Sequence, residues 1–178
     1  MRTNRSSLMP TSDPDLSRLA TDLASVLRAR DQQLVTAESC TGGWVGKVLT
    51  EIPGSSAWYR GGVVSYSNEL KSSLLDVQPA TLAAHGAVSP ETAREMAIGA
   101  ISRLGGTCAL SVTGIAGPDG GTADKPVGSV WFGWVLKRGA GIVEDVARER
   151  FAGDRDAIRR AAVARALQGM LDLAARDG

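Results

Sequence analysis

The segment TAESCTGG, residues 36–43, places a hydroxyl group and a thiol group directly after a short apolar stretch. A chain that leaves a strand and enters a helix here exposes Ser39, Cys40 and several backbone N–H groups together, and such donors stabilise an oxyanion or a phosphate. Gly42 and Gly43 allow a ligand to approach the backbone closely because they carry no side chain. The segment therefore indicates a nucleophile site or an anion site, with an N-cap role for Ser39 as the alternative.

A serine nucleophile requires a neighbouring base, and the chain contains one histidine, His85. No carboxylate that could orient the ring is adjacent to His85, so a Ser-His-Asp triad is poorly supported. Lysine is an alternative base when burial or nearby cations lower its pKa toward about 7–8. Lys71 is the candidate, and Tyr66 is a candidate to relay or donate a proton. The alternatives are a surface helix position for Lys71 and an edge-strand position for Tyr66.

Cys40 is the rival nucleophile, because a helix N-terminus lowers the pKa of a thiol. A small cysteine packed beneath the turn is the commoner arrangement. The pair Gly46-Lys47 also invites comparison with a phosphate-binding loop. That motif fails, because Thr41 stands where its first glycine is needed and Val48 stands where Ser or Thr must follow the lysine. Lys47 is therefore interpreted as a solvated helix residue.

A second glycine-rich segment, GIAGPDGGTADKPVG at residues 114–128, contains too much Gly, Pro and Asp for regular structure. It is long for a plain connection, and loops of this length are usually functional or disordered. Its backbone N–H groups are suited to a phosphate or a carboxamide, with Thr113 adding a hydroxyl. A series of tight turns is an equal alternative.

The elements that must position these residues alternate between helices and strands. A first helix is predicted from Asp15, with Ser12 or Asp13 as its N-cap. Single strands are predicted in QLVTAE, SAWYRGGVVSYS and CALSVTG, and a hairpin in SVWFGWVLKRG and IVEDVARERFAG. Further helices are predicted in TGGWVGKVLTEI, in NELKSSLLDV, from the N-terminus signal at Ser89-Pro90, and in GDRDAIRRAAVARALQGMLDLAAR.

This order predicts an α/β fold, a three-layer α/β/α domain with a mixed, mostly parallel sheet of about five strands. In open sheets of this kind, ligands bind at the carboxyl ends of the strands. Ser39 follows the first predicted strand and Thr113 ends the third. The two residues are therefore expected at the same edge of the sheet.

The composition favours one domain that acts on a small molecule. Of the 178 residues, 43% are hydrophobic, and we expect a disordered leader over residues 1–14 and a single domain over residues 15–178. The net charge of +1 argues against a nucleic-acid or membrane partner. Two cysteines and one histidine lack the spacing of a zinc site, so no metal is expected. Without the apolar segment of a signal peptide, a cytoplasmic location is expected.

Five motifs of the chain together resemble a known family. They are TAESCTGG, PGSSAWYRGGVVSYSNELK, HGAVS, VTGIAGPDGGTADKPVGSVWF and AGDRDAIRR. In this order they closely resemble the nicotinamide-nucleotide amidohydrolase family, which comprises the stand-alone nicotinamide mononucleotide (NMN) deamidases and the C-terminal domain of the competence-damage protein CinA. The resemblance runs from about Leu16 to about Leu171, and we expect the stand-alone form.

The resemblance implies hydrolysis of the NMN carboxamide to nicotinate mononucleotide and ammonia, which returns the pyridine nucleotide toward NAD. It implies that Ser39 is the nucleophile, that Tyr66 and Lys71 occupy the other catalytic positions, and that no metal or redox cofactor is needed. A homodimer or higher assembly is also expected. The expected substrate-binding residues are Thr41, Gly42, Gly43, Thr113, Gly114, Ile115, Ala116 and Gly117.

Two other functions and one departure from the family pattern accompany this prediction. A non-catalytic nucleotide-binding or regulatory module would use the same fold, and a thiol hydrolase would use Cys40.

The family commonly has an acidic residue followed by Arg-Gly after the aromatic at the position of Tyr59, whereas this chain continues with Arg60, Gly61 and Gly62. If that arginine binds the substrate or a neighbouring subunit, the change affects affinity or assembly.

Overall fold

The computed structural model describes residues 12–176, in which helices separate the first three strands and a hairpin and a last helix follow. The strands are β1 (Leu34–Glu38), β2 (Tyr59–Val64), β3 (Cys108–Gly114), β4 (Ser129–Arg138) and β5 (Gly141–Arg150). The α-helices are α1 (Asp13–Ala29), α2 (Trp44–Thr50), α3 (Asn68–Leu75), α4 (Pro79–His85), α5 (Pro90–Leu104) and α6 (Arg155–Ala175). A short 3₁₀ helix, Ser55–Ala57, precedes β2.

The five strands form one mixed sheet in the order β2-β1-β3-β4-β5. β1 runs parallel to both β2 and β3, whereas β4 is antiparallel to β3 and to β5. The predicted α/β class and five-stranded mixed sheet are confirmed. Because three neighbouring strands point the same way, the segments that follow β1, β2 and β3 emerge at one edge of the sheet.

Helices cover both faces of the sheet, which confirms the predicted three layers. Leu34 on β1 and Cys108 on β3 point into the core shared with α1, α2 and α6. Val35 and Ala37 point to the opposite face and pack against apolar side chains of α3 and α5. The alternation follows from the two-residue period of a strand, and it encloses β1 between two apolar layers. A strand held in this way is a rigid support for the residues that follow it.

N-cap side chains determine where the long helices begin. Ser12 accepts a hydrogen bond from the N–H of Asp15, and Ser89 accepts one from the N–H of Thr92, so both predicted helix starts are confirmed. Ser67 begins α3, and Asp154 begins α6 by accepting from the N–H of Ala157 at 2.9 Å.

A disordered leader was expected over residues 1–14. Residues 1–11 lie outside the described residues, so the structure describes only the last three residues of this segment. Of those three, Ser12 is the N-cap of α1, and Asp13 and Pro14 are its first helical residues. Within residues 12–176, no helix is both long enough and apolar enough to cross a membrane.

Candidate active site

The serine turn, residues 39–43, connects the carboxyl end of β1 to α2. The N–H of Ser39 donates to the carbonyl oxygen of Val112 at 3.0 Å, so β3 holds the first residue of the turn. The N–H of Gly42 donates to the carbonyl oxygen of Ser39 at 3.0 Å and closes the turn. Gly42 and Gly43 have φ angles of 60° and 95°, a left-handed conformation that strongly favours glycine. The two glycines therefore permit the chain to reverse immediately after Ser39.

The buried carboxylate of Glu38 holds the serine turn and the first turn of α2. Glu38 is 2% exposed and accepts four hydrogen bonds. The donors are Thr41 Oγ1 and the N–H groups of Gly43, Val45 and Gly46, at distances of 2.7 to 3.1 Å. Three of these are the unpaired N–H groups that every helix has at its beginning. Because Glu38 satisfies them, the alternative that Ser39 caps α2 is wrong.

Lys71 lies on the buried face of α3 and reaches the serine turn. Its Nζ is 3.1 Å from Ser39 Oγ and 2.7 Å from the carbonyl oxygen of Ser65, which follows β2. Lys71 is 1% exposed, so the alternative of a surface position is wrong. Burial lowers the pKa of its ammonium group, because the charged form loses its hydration. A buried amine in contact with a serine hydroxyl is the arrangement of a base and its nucleophile.

A cavity of about 200 Å³ opens beside this pair. The predicted site residues that line it are Ser39, Tyr66, Lys71, Thr113, Gly114 and Ala116. Tyr66 lies just beyond the edge strand β2 and is 62% exposed. Its hydroxyl is 3.2 Å from Nη2 of Arg155, the first residue of α6, and this guanidinium also lines the cavity. The three parallel strands thus bring residues from distant motifs to one opening.

Only some of the predicted substrate-binding residues in the loop after β3 line the cavity. Gly114 and Ala116 line it, whereas Ile115 and Gly117 do not. The carbonyl oxygen of Gly117 instead accepts a hydrogen bond from Arg155 Nη1 at 2.7 Å, which fixes the guanidinium at the cavity. Thr113 is 1% exposed, and its hydroxyl donates to the carbonyl oxygen of Ala87 at 2.7 Å. Thr113 therefore holds the wall formed by the segment before α5.

The predicted binding residues of the serine turn lie away from this cavity. Thr41 is completely buried with its hydroxyl on Glu38. Gly42 and Gly43 line a separate open cavity of about 380 Å³, which shares no lining residue with the cavity beside Ser39. The side chains around that second cavity are those of Asp13, Trp44, Lys47, Arg159 and Arg160. The two glycine-rich segments therefore do not form one phosphate site.

Residues 16–174 match the family model described as the CinA C-terminal domain. The chain belongs to the CinA C-terminal domain family. It is 53% identical over 156 residues to the nicotinamide-nucleotide amidohydrolase PncC of Escherichia coli strain K12, a match that covers 88% of this chain and 93% of that protein. It is 45% identical over 161 residues to the Pseudomonas putida protein of the same name, covering 90% and 98% of the two chains.

Solved structures of the CinA superfamily have the same fold. The crystal structure of a CinA superfamily protein from Klebsiella pneumoniae is 39% identical and aligns with a TM-score of 0.84, over 90% of this chain and 98% of that chain. The likeness therefore extends from the motifs to the whole arrangement of helices and strands described above.

Cys40 of this CinA domain also borders the cavity, but it is not an activated thiol. It is 6% exposed, and burial raises its pKa to about 12. The other cysteine, Cys108, is buried in the core, and burial raises its pKa to about 12 as well. The lowering of the Cys40 pKa expected at a helix N-terminus is therefore wrong, because loss of hydration has the larger effect.

We expect both thiols of the native protein to resist iodoacetamide at about pH 8, where a pKa of about 12 leaves roughly one thiol in ten thousand ionised. The measurement is the intact mass after incubation. The control is the same reaction in denaturant, in which both cysteines should be alkylated. Rapid loss of one native thiol would contradict this account of Cys40.

The structure adds Arg155 to the site and leaves His85 and Arg60 outside it, in addition to the predicted binding residues described above. Arg155 belongs to the motif AGDRDAIRR. Its place at the start of a predicted helix that follows a strand is the only sequence signal that could have indicated a role at the site. His85 lies outside the cavity, with its Nδ1 3.6 Å from a carboxylate oxygen of Glu91. Arg60 donates to the carbonyl oxygen of Leu104, at the opposite end of β2 from Ser65, so it does not line the cavity.

The described residues hold no cluster of acidic, histidine or cysteine side chains suited to a metal ion. The chemistry available at the cavity is that of a hydroxyl, a buried amine, a phenol and a guanidinium.

Proposed function

We propose that the protein hydrolyses the carboxamide of NMN to nicotinate mononucleotide and ammonia, with Ser39 as nucleophile and Lys71 as base. The observation that carries this proposal is the 3.1 Å distance between Lys71 Nζ and Ser39 Oγ in a buried position at the cavity. The relatives named nicotinamide-nucleotide amidohydrolase give the substrate class. The reaction serves the recycling of pyridine nucleotide.

In the first step, neutral Lys71 accepts the Ser39 proton while Oγ attacks the carboxamide carbon. The bond from Nζ to the Ser65 carbonyl oxygen uses one N–H of the amine. That bond leaves the nitrogen lone pair free to face Ser39. A lysine whose pKa is lowered by burial is neutral in a larger fraction of molecules at neutral pH than an exposed lysine.

A backbone N–H of the serine turn is the donor for the oxyanion of the tetrahedral intermediate. The N–H groups of Ser39, Gly42 and Gly43 already donate to Val112, Ser39 and Glu38 respectively. Within residues 12–176, the N–H groups of Cys40 and Thr41 have no backbone acceptor. We assign the oxyanion to the Cys40 N–H, because Cys40 adjoins the nucleophile and lines the cavity, whereas Thr41 is buried and does not line it.

Collapse of the intermediate breaks the carbon–nitrogen bond and releases ammonia. The leaving nitrogen takes its proton from protonated Lys71 or from Tyr66, which lines the same cavity. The acyl-enzyme ester on Ser39 then reacts with water, and Lys71 again removes a proton. The product carboxylate leaves, and the serine hydroxyl is restored.

Arg155 is the partner for the 5′-phosphate. A volume of about 200 Å³ is below the range of about 300–1,000 Å³ that holds whole drug-sized ligands, so the reacting ring and carboxamide enter and the phosphate stays at the rim. Arg155 is exposed there, its guanidinium is directed by Gly117 and Tyr66, and no acidic residue of the described part of the chain lines the cavity. A planar guanidinium binds phosphate in two-point geometry.

The experiment measures ammonia release from NMN, nicotinamide riboside and nicotinamide without added metal. NMN should be hydrolysed, and kcat/KM for the riboside should be lower by about 10²-fold or more, because it lacks the phosphate. If NMN is bound but not hydrolysed by folded protein, the non-catalytic nucleotide-binding module becomes the better account.

The variant Arg155→Met tests the phosphate partner within the same assay. Loss of charged hydrogen bonds should raise KM for NMN by about 10–100-fold, while KM for the riboside should stay within about threefold. Arg160→Met, a change on the same helix at the other cavity, is the matched control and should leave both values near those of the wild type. Equal weakening of both substrates in Arg155→Met would contradict a phosphate contact.

A further inference from the structure

Arg159 on α6 binds the backbone of the serine turn through groups that Glu38 does not contact. Its Nε donates to the carbonyl oxygen of Cys40 at 3.1 Å, and its Nη2 donates to the carbonyl oxygen of Thr41 at 2.9 Å. The guanidinium also lies over the Trp44 ring, 5.3 Å from its centroid. The side chain is partly buried between these contacts, so its position is fixed by three neighbours.

The contact with Cys40 determines the direction of a neighbouring N–H group. The peptide bond between Cys40 and Thr41 is trans, so the carbonyl of Cys40 and the N–H of Thr41 point in opposite directions within one plane. Because Arg159 attracts the carbonyl, the N–H of Thr41 must point away from α6. The same contact restrains Cys40, whose own N–H the proposed mechanism assigns to the oxyanion.

Two side chains of opposite charge, Glu38 and Arg159, thus hold the serine turn, one by binding hydrogen-bond donors and the other by binding acceptors. The carboxylate of Glu38 binds hydrogen-bond donors, namely the Thr41 hydroxyl and the N–H groups at the start of α2. The guanidinium of Arg159 binds acceptors, the two carbonyl oxygens. Neither side chain lines the cavity beside Ser39. Their influence on the reaction must therefore pass through the backbone of the turn.

We propose that Arg159 is a positioning residue that fixes the Cys40–Thr41 peptide, and with it the position of Cys40, whose N–H is assigned to the oxyanion. This inference rests on the proposed amidase reaction at Ser39. Arg159 contributes to the transition state and little to substrate binding, since the oxyanion forms only during reaction. Its loss should therefore lower kcat and leave KM nearly unchanged.

The experiment compares Arg159→Met with Arg160→Met in ammonia release from NMN. Arg160 also lies over the Trp44 ring, 4.8 Å from its centroid, and pairs with Asp13 and Asp156, but it has no bond to the turn carbonyls. Arg159→Met should lower kcat by roughly 10–100-fold, up to the effect of removing one oxyanion donor, with KM within about threefold. Arg160→Met should retain kcat within about twofold.

Arg159→Lys provides the conservative variant. Its ammonium can donate to a carbonyl oxygen but cannot reproduce the two-point contact, so kcat should lie between those of the wild type and Arg159→Met. Thermal unfolding of each variant identifies any that fail to fold. If Arg159→Met does not fold, the kcat of folded Arg159→Lys tests the positioning role.

Wild-type kcat in folded Arg159→Met or Arg159→Lys would overturn the positioning role, as would an increase confined to KM. An equal loss of kcat in Arg160→Met would also overturn it. An inactive wild type would instead overturn the amidase proposal itself, so the two failures are distinguishable.

Discussion

Replacement of Ser39 by alanine should lower kcat for ammonia release from NMN by roughly 10⁴–10⁶-fold, the scale observed when a hydrolase loses its nucleophile. The substitution removes the only atom that can form the acyl-enzyme in the proposed mechanism. It should leave the serine turn in place, because Glu38 and backbone bonds hold the turn and the Ser39 hydroxyl contacts Lys71. Steady-state ammonia release and NMN binding to the inactive variant measure the two effects.

Cys40→Ala is the matched control for Ser39→Ala, since it removes the adjacent side-chain nucleophile from the same turn. The buried thiol, with its pKa raised to about 12, has no part in the proposed reaction, and kcat should stay within about threefold of the wild type. The reverse pattern, an active Ser39→Ala and an inactive Cys40→Ala, would establish the thiol hydrolase instead.

Replacement of Lys71 by methionine should lower kcat by about 10²–10⁴-fold, the usual contribution of general base catalysis. Methionine is apolar and flexible and suits the buried position, but it cannot accept the proton from Ser39. Lys47→Met is the control: Lys47 is a solvated lysine of α2, as the sequence predicted, and pairs with Glu51 at 2.6 Å. A Lys71→Met variant with wild-type kcat would exclude a base role for this amine.

The lowered pKa of Lys71 gives this prediction a pH dependence. Neutral amine is the reactive form, so kcat/KM should rise as pH increases through the lowered pKa, and this limb should be absent from the residual activity of Lys71→Met. The unfolded chain, with the ordinary pKa of about 10.5, binds the proton more tightly than the folded protein does. The wild type should therefore gain stability relative to Lys71→Met as pH rises through the interval between the two pKa values.

The sequence was sufficient to single out the two proposed reacting groups, because each lies at a locally recognisable position. Ser39 ends an apolar strand before two glycines, and Lys71 follows a strand and a serine that caps a helix. The alternation of strand and helix also predicted which strand ends would meet. The 3₁₀ turn before β2 and the short helix α4 were not predicted, since their few residues carry little periodic signal.

The supporting residues could not be predicted, because their roles depend on tertiary packing. Arg155 and Arg159 lie on the last helix and contact segments that lie 38 and 119 residues earlier in the chain. A sequence pattern of charged and apolar residues does not specify which charged side chains make such contacts. In the sequence, Glu38 could not be distinguished from the last residue of an ordinary strand. Its carboxylate could be recognised as the cap of α2 only from the path of the turn after it.

The dependence of α2 on Glu38 bears on the order in which the molecule folds. α2 has seven residues, whereas isolated helices need about 12–15 residues to persist in water. Its N-terminus is satisfied by a side chain from β1, and the turn before it is anchored by Val112 and by Arg159, which is 119 residues from Cys40 in the chain. We therefore expect α2 to form after the sheet has assembled and not to nucleate it. A nascent chain that still lacks its last helix has no completed serine turn, so in the proposed mechanism Ser39 becomes active only when the whole domain has formed.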